Sequence, residues 1–128
     1  MSDSKPFVIS PTELEPLPGG QTSGMDRRQI AERDGTWVGW IRTEPGVASG
    51  WHHHGDHDSW ICLSRGAITI EFGAGGRESI TAHEGQVIVN PARLVHREYT
   101  GPDQAVEAYV IRIGSGPQNV NVDGPESA

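Results

Sequence analysis

The sequence predicts a single all-β domain, a small barrel or sandwich, and three observations carry that expectation. The chain has 128 residues, enough for one compact core and too few for two, since each half would be short of buried surface. Glycine and proline contribute 17 and 9 residues and are spread along the chain, as turns between short strands require. Short apolar runs rich in β-branched and aromatic residues follow one another, with no amphipathic helix of convincing length between them. The apolar fraction without glycine is only 34%, but counting glycine brings it near the globular norm, which excludes a disordered polypeptide.

Residues 1–35 are expected to form an N-terminal arm. Phe7 to Ile9 is a short β-like piece, the turn-rich PLPGGQTSG follows, and Met25 to Arg33 reads as either a strand or a single helical turn. From Thr36 the runs TWVGWIRT, SWICLS, AITIEF, ESITA, QVIVN, VHREY and AVEAYVIRI succeed one another, each bounded by Gly, Pro, Asp or Asn. They predict a barrel over residues 36–114. The tail, residues 115–128, has few large apolar groups, and only Val120 and Val122 offer surface packing.

A net charge of −7 with no stripe of Lys or Arg argues against nucleic acid as a partner. The first 25 residues lack the basic start and apolar stretch of a secretory signal, and no apolar run is long enough to span a bilayer. A cytoplasmic protein without membrane contact is expected. The single cysteine, Cys62, lies in a strand-like run and is read as a small core residue rather than a nucleophile.

Four of the six histidines, His52, His53, His54 and His57, fall within six residues. The first three abut a strand, so alternation sends His52 and His54 to one face and His53 to the other. Two neutral imidazoles on one face can take adjacent positions on a transition ion. A third ligand must come from elsewhere, and His96 is the best candidate, delivered by the turn at Pro91. Glu98 follows on the same face, so His52, His54, His96 and Glu98 could give three nitrogens and one carboxylate, with positions left open for a ligand.

These residues resemble the two motifs of the cupin superfamily. In the first, Gly46, His52, His54 and Gly66 stand at the family spacing, but Ser59 occupies the place of the glutamate. In the second, Gly85, Pro91 and His96 match, while Arg93 replaces a glycine and Thr100 an asparagine. The resemblance covers about residues 36–114 and implies a double-stranded β-helix, or jelly-roll barrel, with one divalent transition metal (Fe, Zn, Mn or Ni). Because serine is a poor ligand for such ions, three completions stay open. The site could be three-His alone, as in some cupin dioxygenases; it could use Glu98, similar to the His-x-Glu of pirins; or His57 or Asp58 could enter from the loop. Glu98 is preferred because it needs only strand geometry, and His57 is the alternative fourth ligand.

His53 and His83 are read as bystanders, and Glu98 could instead pair with Arg93 or Arg97. Trp37, Trp40, Trp51 and Trp60 are mostly core candidates, with Trp51 or Trp60 expected at the mouth of the barrel. Arg42, Tyr99 and Tyr109 are candidate polar contacts of undetermined facing. The expected function is a metal-dependent cupin acting on a small molecule, with dioxygenase-like chemistry in front. Lewis-acid isomerase or lyase chemistry on Zn or Mn and a non-catalytic metabolite-binding or regulatory module are the alternatives. Similar small barrels imply a homodimer.

Overall fold

Strand alternation sets the architecture. In the computed structural model, which describes residues 5–17 and 23–125, ten strands follow in chain order: β1 (Met25–Arg33), β2 (Thr36–Thr43), β3 (His52–His53), β4 (Asp56–Arg65), β5 (Ile68–Phe72), β6 (Glu78–Ala82), β7 (Val87–Asn90), β8 (His96–Thr100), β9 (Val106–Ser115) and β10 (Val120–Asn121). They build two five-stranded sheets whose described pairings are antiparallel, in the orders β1-β2-β9-β4-β7 and β10-β3-β8-β5-β6. Apart from the β1–β2 and β5–β6 hairpins, consecutive strands cross between the sheets, so the two form opposite walls of one barrel.

The sheets extend past both ends of the range expected for the barrel. Met25–Arg33 is an edge strand joined to β2 through Asp34-Gly35. Both turn residues have positive φ, 49° and 79°, the conformation that lets a two-residue turn follow the twist of a hairpin. The barrel sheet therefore begins ahead of Thr36, and at the other end Val120 and Asn121 pair with His53 and His52. Both the arm and the tail contribute edge strands. Phe7 to Ile9 forms no strand, and Phe7 is exposed: three residues without a pairing partner cannot hold a ladder.

Inward positions of both sheets interlock in a core that includes Trp37, Ile61, Leu63, Ile70, Val106 and Val110. Ile70 is fully buried, and burial of such a side chain contributes about 1.5–3 kcal/mol. Trp37 lies flat along its own strand, over a residue that must be Gly39. A Cβ there would sit 2.0 Å from the indole. Cys62 is half-buried on the outward side of β4, between the inward Ile61 and Leu63, and so lies outside this core.

The turn before β8 explains one motif departure. Arg93 stands where the cupin motif has glycine, and it adopts φ +65°, a left-handed conformation natural to glycine and strained for arginine. Two contacts hold it: its backbone N–H donates to the Gly55 carbonyl at 2.9 Å, and its guanidinium pairs with Asp56. This turn sets His96 at the head of β8.

Candidate metal centre

Two strands carry the histidines. His52 on β3 is the direct cross-strand partner of His96 on β8, and His54 follows one alternation later. The ring centroids lie 4.4 Å apart for His52 and His96, 5.0 Å for His52 and His54, and 5.1 Å for His54 and His96. One nitrogen from each ring falls within 4.8 Å of the other two, and all three residues are buried.

The remaining nitrogens fix the tautomers. Each Nδ1 is bonded to a backbone carbonyl: His52 to Gly50 at 2.9 Å, His54 to Gln118 at 2.8 Å and His96 to Leu94 at 2.9 Å. A carbonyl only accepts, so each Nδ1 carries the proton and each Nε2 presents a lone pair. Oriented, neutral imidazoles of this kind are what a first-row divalent ion takes as ligands. The amide of Asn90, 3.5 Å from His96 Nε2, points a donor toward that lone pair.

Burial keeps the His52 and His54 rings neutral. Burial pushes the His54 imidazole down to about 2, with the Arg112 cation and His96 adding to the effect. Burial also lowers His52, against the opposing pull of the Glu98 carboxylate. At neutral pH no proton competes for the Nε2 atoms of His52 and His54.

The facing wall is polar as well. Ser59 on β4 is flanked directly by Asn90 on β7 and Arg112 on β9, so the three form a row across the sheet. Ser59 and Arg112 share with His52, His54, Glu98, Arg27 and Thr43 a cavity of about 30 Å³, floored by aliphatic residues such as Ile61 and Val110. Arg112 stacks its guanidinium over Trp37 at 4.7 Å, and burial lowers its pKa to about 10 although Glu98 pulls it up. Thr43 Oγ1, Ser59 Oγ and Arg112 Nε are buried without a hydrogen-bond partner. Each such atom costs on the order of 1–3 kcal/mol. Converging imidazole lone pairs and orphaned polar atoms together make a site that fits a metal ion with a small polar ligand.

The other expected residues divide. Glu98 is buried and shares the cavity, with its backbone N–H donating to Ser49 Oγ at 3.0 Å. It is not a member of the cluster that closes within 4.8 Å. Nor does it pair with Arg93 or Arg97, which bind Asp56 and Glu71. His57 is turned away from the triad: its Nδ1 bonds the His54 carbonyl at 2.8 Å, and its ring lines a separate cavity with Glu32, Trp37 and Gln118. Asp58 is held outside, accepting from the Ala92 N–H at 2.9 Å. His53 accepts from the Gly55 N–H, and His83 is exposed.

Neither Trp51 nor Trp60 lines the cavity of the histidines; Trp51 lies instead beneath the Arg97 guanidinium. Arg42 binds Glu44 and Glu107, and Tyr109 is exposed. Four cavity or wall residues were not anticipated: Arg27, Thr43, Asn90 and Arg112. For Arg112 the signal existed, since alternation from Val106 through Ala108 and Val110 points it inward.

No protein-family model and no curated protein matches the sequence. Solved structures do match. The cupin domain of Schizosaccharomyces pombe Cnp3 superposes with a TM-score of 0.69 at 10% identity, over 84% of this chain and 69% of that one. A Klebsiella pneumoniae protein with a double-stranded β-helix domain gives 0.74 at 13% identity, over 96% and 97%. The chain has the cupin fold. A further structure with this architecture, the polyketide cyclase RemF from Streptomyces resistomycificus, matches with a TM-score of 0.75 at 16% identity, over 92% and 86%. In this cupin barrel the histidines of the two motifs come from the neighbouring strands β3 and β8 and the turn after β3, which is why histidines 42 positions apart in the chain, His54 and His96, meet.

Proposed function

We propose that the barrel is a metal-dependent enzyme acting on a small oxygen-bearing molecule, with Glu98 as its proton-transfer group. The observation that carries this reading is the set of three Nδ1–H bonds to backbone carbonyls, which leaves three Nε2 lone pairs converging in one buried pocket. A divalent ion held by His52, His54 and His96 would supply Lewis acidity toward a carbonyl or enediol oxygen. The chain's own residues do the rest. Glu98 stands in the same cavity without belonging to the ligand cluster, so its carboxylate can take a proton from a bound molecule and return it, a role worth typically 10²–10⁴-fold in rate. Arg112 and Arg27 bring positive charge to that cavity and favour an anionic substrate. The aliphatic floor excludes water, which strengthens each of these interactions.

Acid–base chemistry is favoured over the dioxygenase-like reaction expected from the sequence, because Glu98 stands in the cavity outside the ligand cluster, where it can act as a general base. RemF, with the same fold, is a polyketide cyclase, and its likeness lends this reading only the scaffold. Elemental analysis of untagged protein, with the variants His96→Ala and Glu98→Gln, tests it. About one non-redox divalent ion per chain is expected in the wild type and in Glu98→Gln, with none in His96→Ala. Loss of the ion in Glu98→Gln would make Glu98 a ligand, and bound iron with oxygen uptake would establish the dioxygenase-like alternative. Absence of metal throughout would leave a non-catalytic binding module.

A further inference from the structure

Among the described residues, the buried side-chain polar atoms without a partner are Thr43 Oγ1, Ser59 Oγ and Arg112 Nε. All three residues line the cavity of the histidines. Two of them are immediate neighbours: Ser59 and Arg112 are directly opposed on β4 and β9, which places their Cβ atoms about 5 Å apart. Asn90, opposed to Ser59 on its other side, extends the row with an amide whose donor points toward His96. A guanidinium N–H and a hydroxyl side by side offer donors to the cavity, and a group that only accepts and can meet both in a plane is a carboxylate.

The cavity, of about 30 Å³, favours a small acid. The position is also telling, because Ser59 stands where the cupin motif has a glutamate. The chain lacks a carboxylate of its own there and keeps an arginine beside the gap.

We infer that Ser59 and Arg112 bind the carboxylate of a small 2-oxo or 2-hydroxy acid, whose adjacent oxygen faces the three histidines. The ligand then fills with its own carboxylate the place that Ser59 leaves open, and Arg112 Nε and Ser59 Oγ gain the partners that the protein does not give them. This deepens the metal-centre reading above and rests on it. Specificity follows from the donors: an uncharged amide of the same shape presents N–H groups to donors and is rejected, because unpaired donors remain buried on both sides.

The test uses the full chain loaded with its metal, glycolate as the probe and glycolamide as its uncharged counterpart, read by isothermal titration calorimetry with metal content measured in parallel. Wild type is expected to bind glycolate and to bind glycolamide at least tenfold more weakly. Arg112→Gln is expected to keep the metal and lose at least tenfold in glycolate affinity, and Ser59→Ala several-fold. Ser59→Glu, which supplies a carboxylate from the chain, is expected to hold the metal and to abolish glycolate binding. Metal-loaded wild type that ignores glycolate overturns the carboxylate site, as does glycolate affinity unchanged in both Arg112→Gln and Ser59→Glu. Both results leave the metal centre standing. Loss of the centre itself would read differently, as wild type without metal.

Discussion

The two sheets present opposite kinds of polar surface to the barrel interior. On the sheet containing β3 and β8, each imidazole is fully provided for: every Nδ1 has a backbone carbonyl, and the Nε2 atoms alone are left to converge. On the sheet containing β4 and β9, polar groups stand buried and incomplete, Ser59 Oγ and Arg112 Nε among them. The difference separates two tasks. A metal site needs ligands whose orientation is settled before the ion arrives, whereas a ligand wall needs donors kept in reserve. The first wall is preorganised by its own backbone, and the second carries a cost that a bound molecule can repay.

The largest effect should come from breaking the first wall. His96→Ala removes the fully buried imidazole that lies across from both partners, and it is expected to eliminate bound metal while far-ultraviolet circular dichroism retains its β signature. Next in size is a change beneath both walls. Ile70→Ala empties a fully buried core position and is expected to cost about 2–5 kcal/mol in urea unfolding, with metal stoichiometry unchanged in the folded fraction. If the metal disappears as well, the core and the site are not separable.

Acid should act on the first wall more gradually. His52 and His54 are neutral in the fold because burial lowers their pKa values, His54 to about 2, while in the unfolded chain they titrate near 6.5. Above that value the two states bind equal numbers of protons at these groups and stability is flat. Below it the unfolded chain takes up protons that the native rings refuse, so stability falls as pH drops from about 6.5 toward the folded values. The slope is up to about 1.4 kcal/mol per pH unit for each histidine. Urea midpoints of metal-free protein between pH 7.5 and about pH 5 check the sign; a midpoint that rises on acidification contradicts neutral, buried rings.

The smallest effect concerns the turn that positions His96. Arg93→Gly relieves a left-handed arginine but removes an exposed ion pair with Asp56, and exposed pairs contribute little. A gain of up to about 1 kcal/mol is expected, with unchanged metal content. A marked loss would mean that the pair with Asp56, rather than the backbone, holds the turn in place.

Much of the architecture was legible because turn residues punctuate the strands. TWVGWIRT became β2 and ESITA became β6 with no shift of boundary, since glycine-bearing turns bound each of them. The strand Met25–Arg33 was ambiguous because Arg27 enters the cavity from an otherwise charged run, which blurs the period. His52, His54 and His96 could be paired from spacing and motif. The fate of His57 could not, because a single bond from its Nδ1 to the His54 carbonyl turns the ring into another cavity, and no periodicity encodes that bond. Arg112 was hidden for a different reason. Its alternation was plain, but a buried arginine is expected only when something on the other side of the cavity calls for it, and that wall exists only once β7, β4 and β9 lie side by side.

Metal stoichiometry after chelator dialysis and reloading tests the preorganised three-histidine centre. With zinc offered to untagged protein at neutral pH, about one ion per chain is expected in wild type and none above background in His52→Ala, His54→Ala or His96→Ala, each still folded. Wild-type stoichiometry near zero, or occupancy that survives in any of the three folded variants, would contradict it.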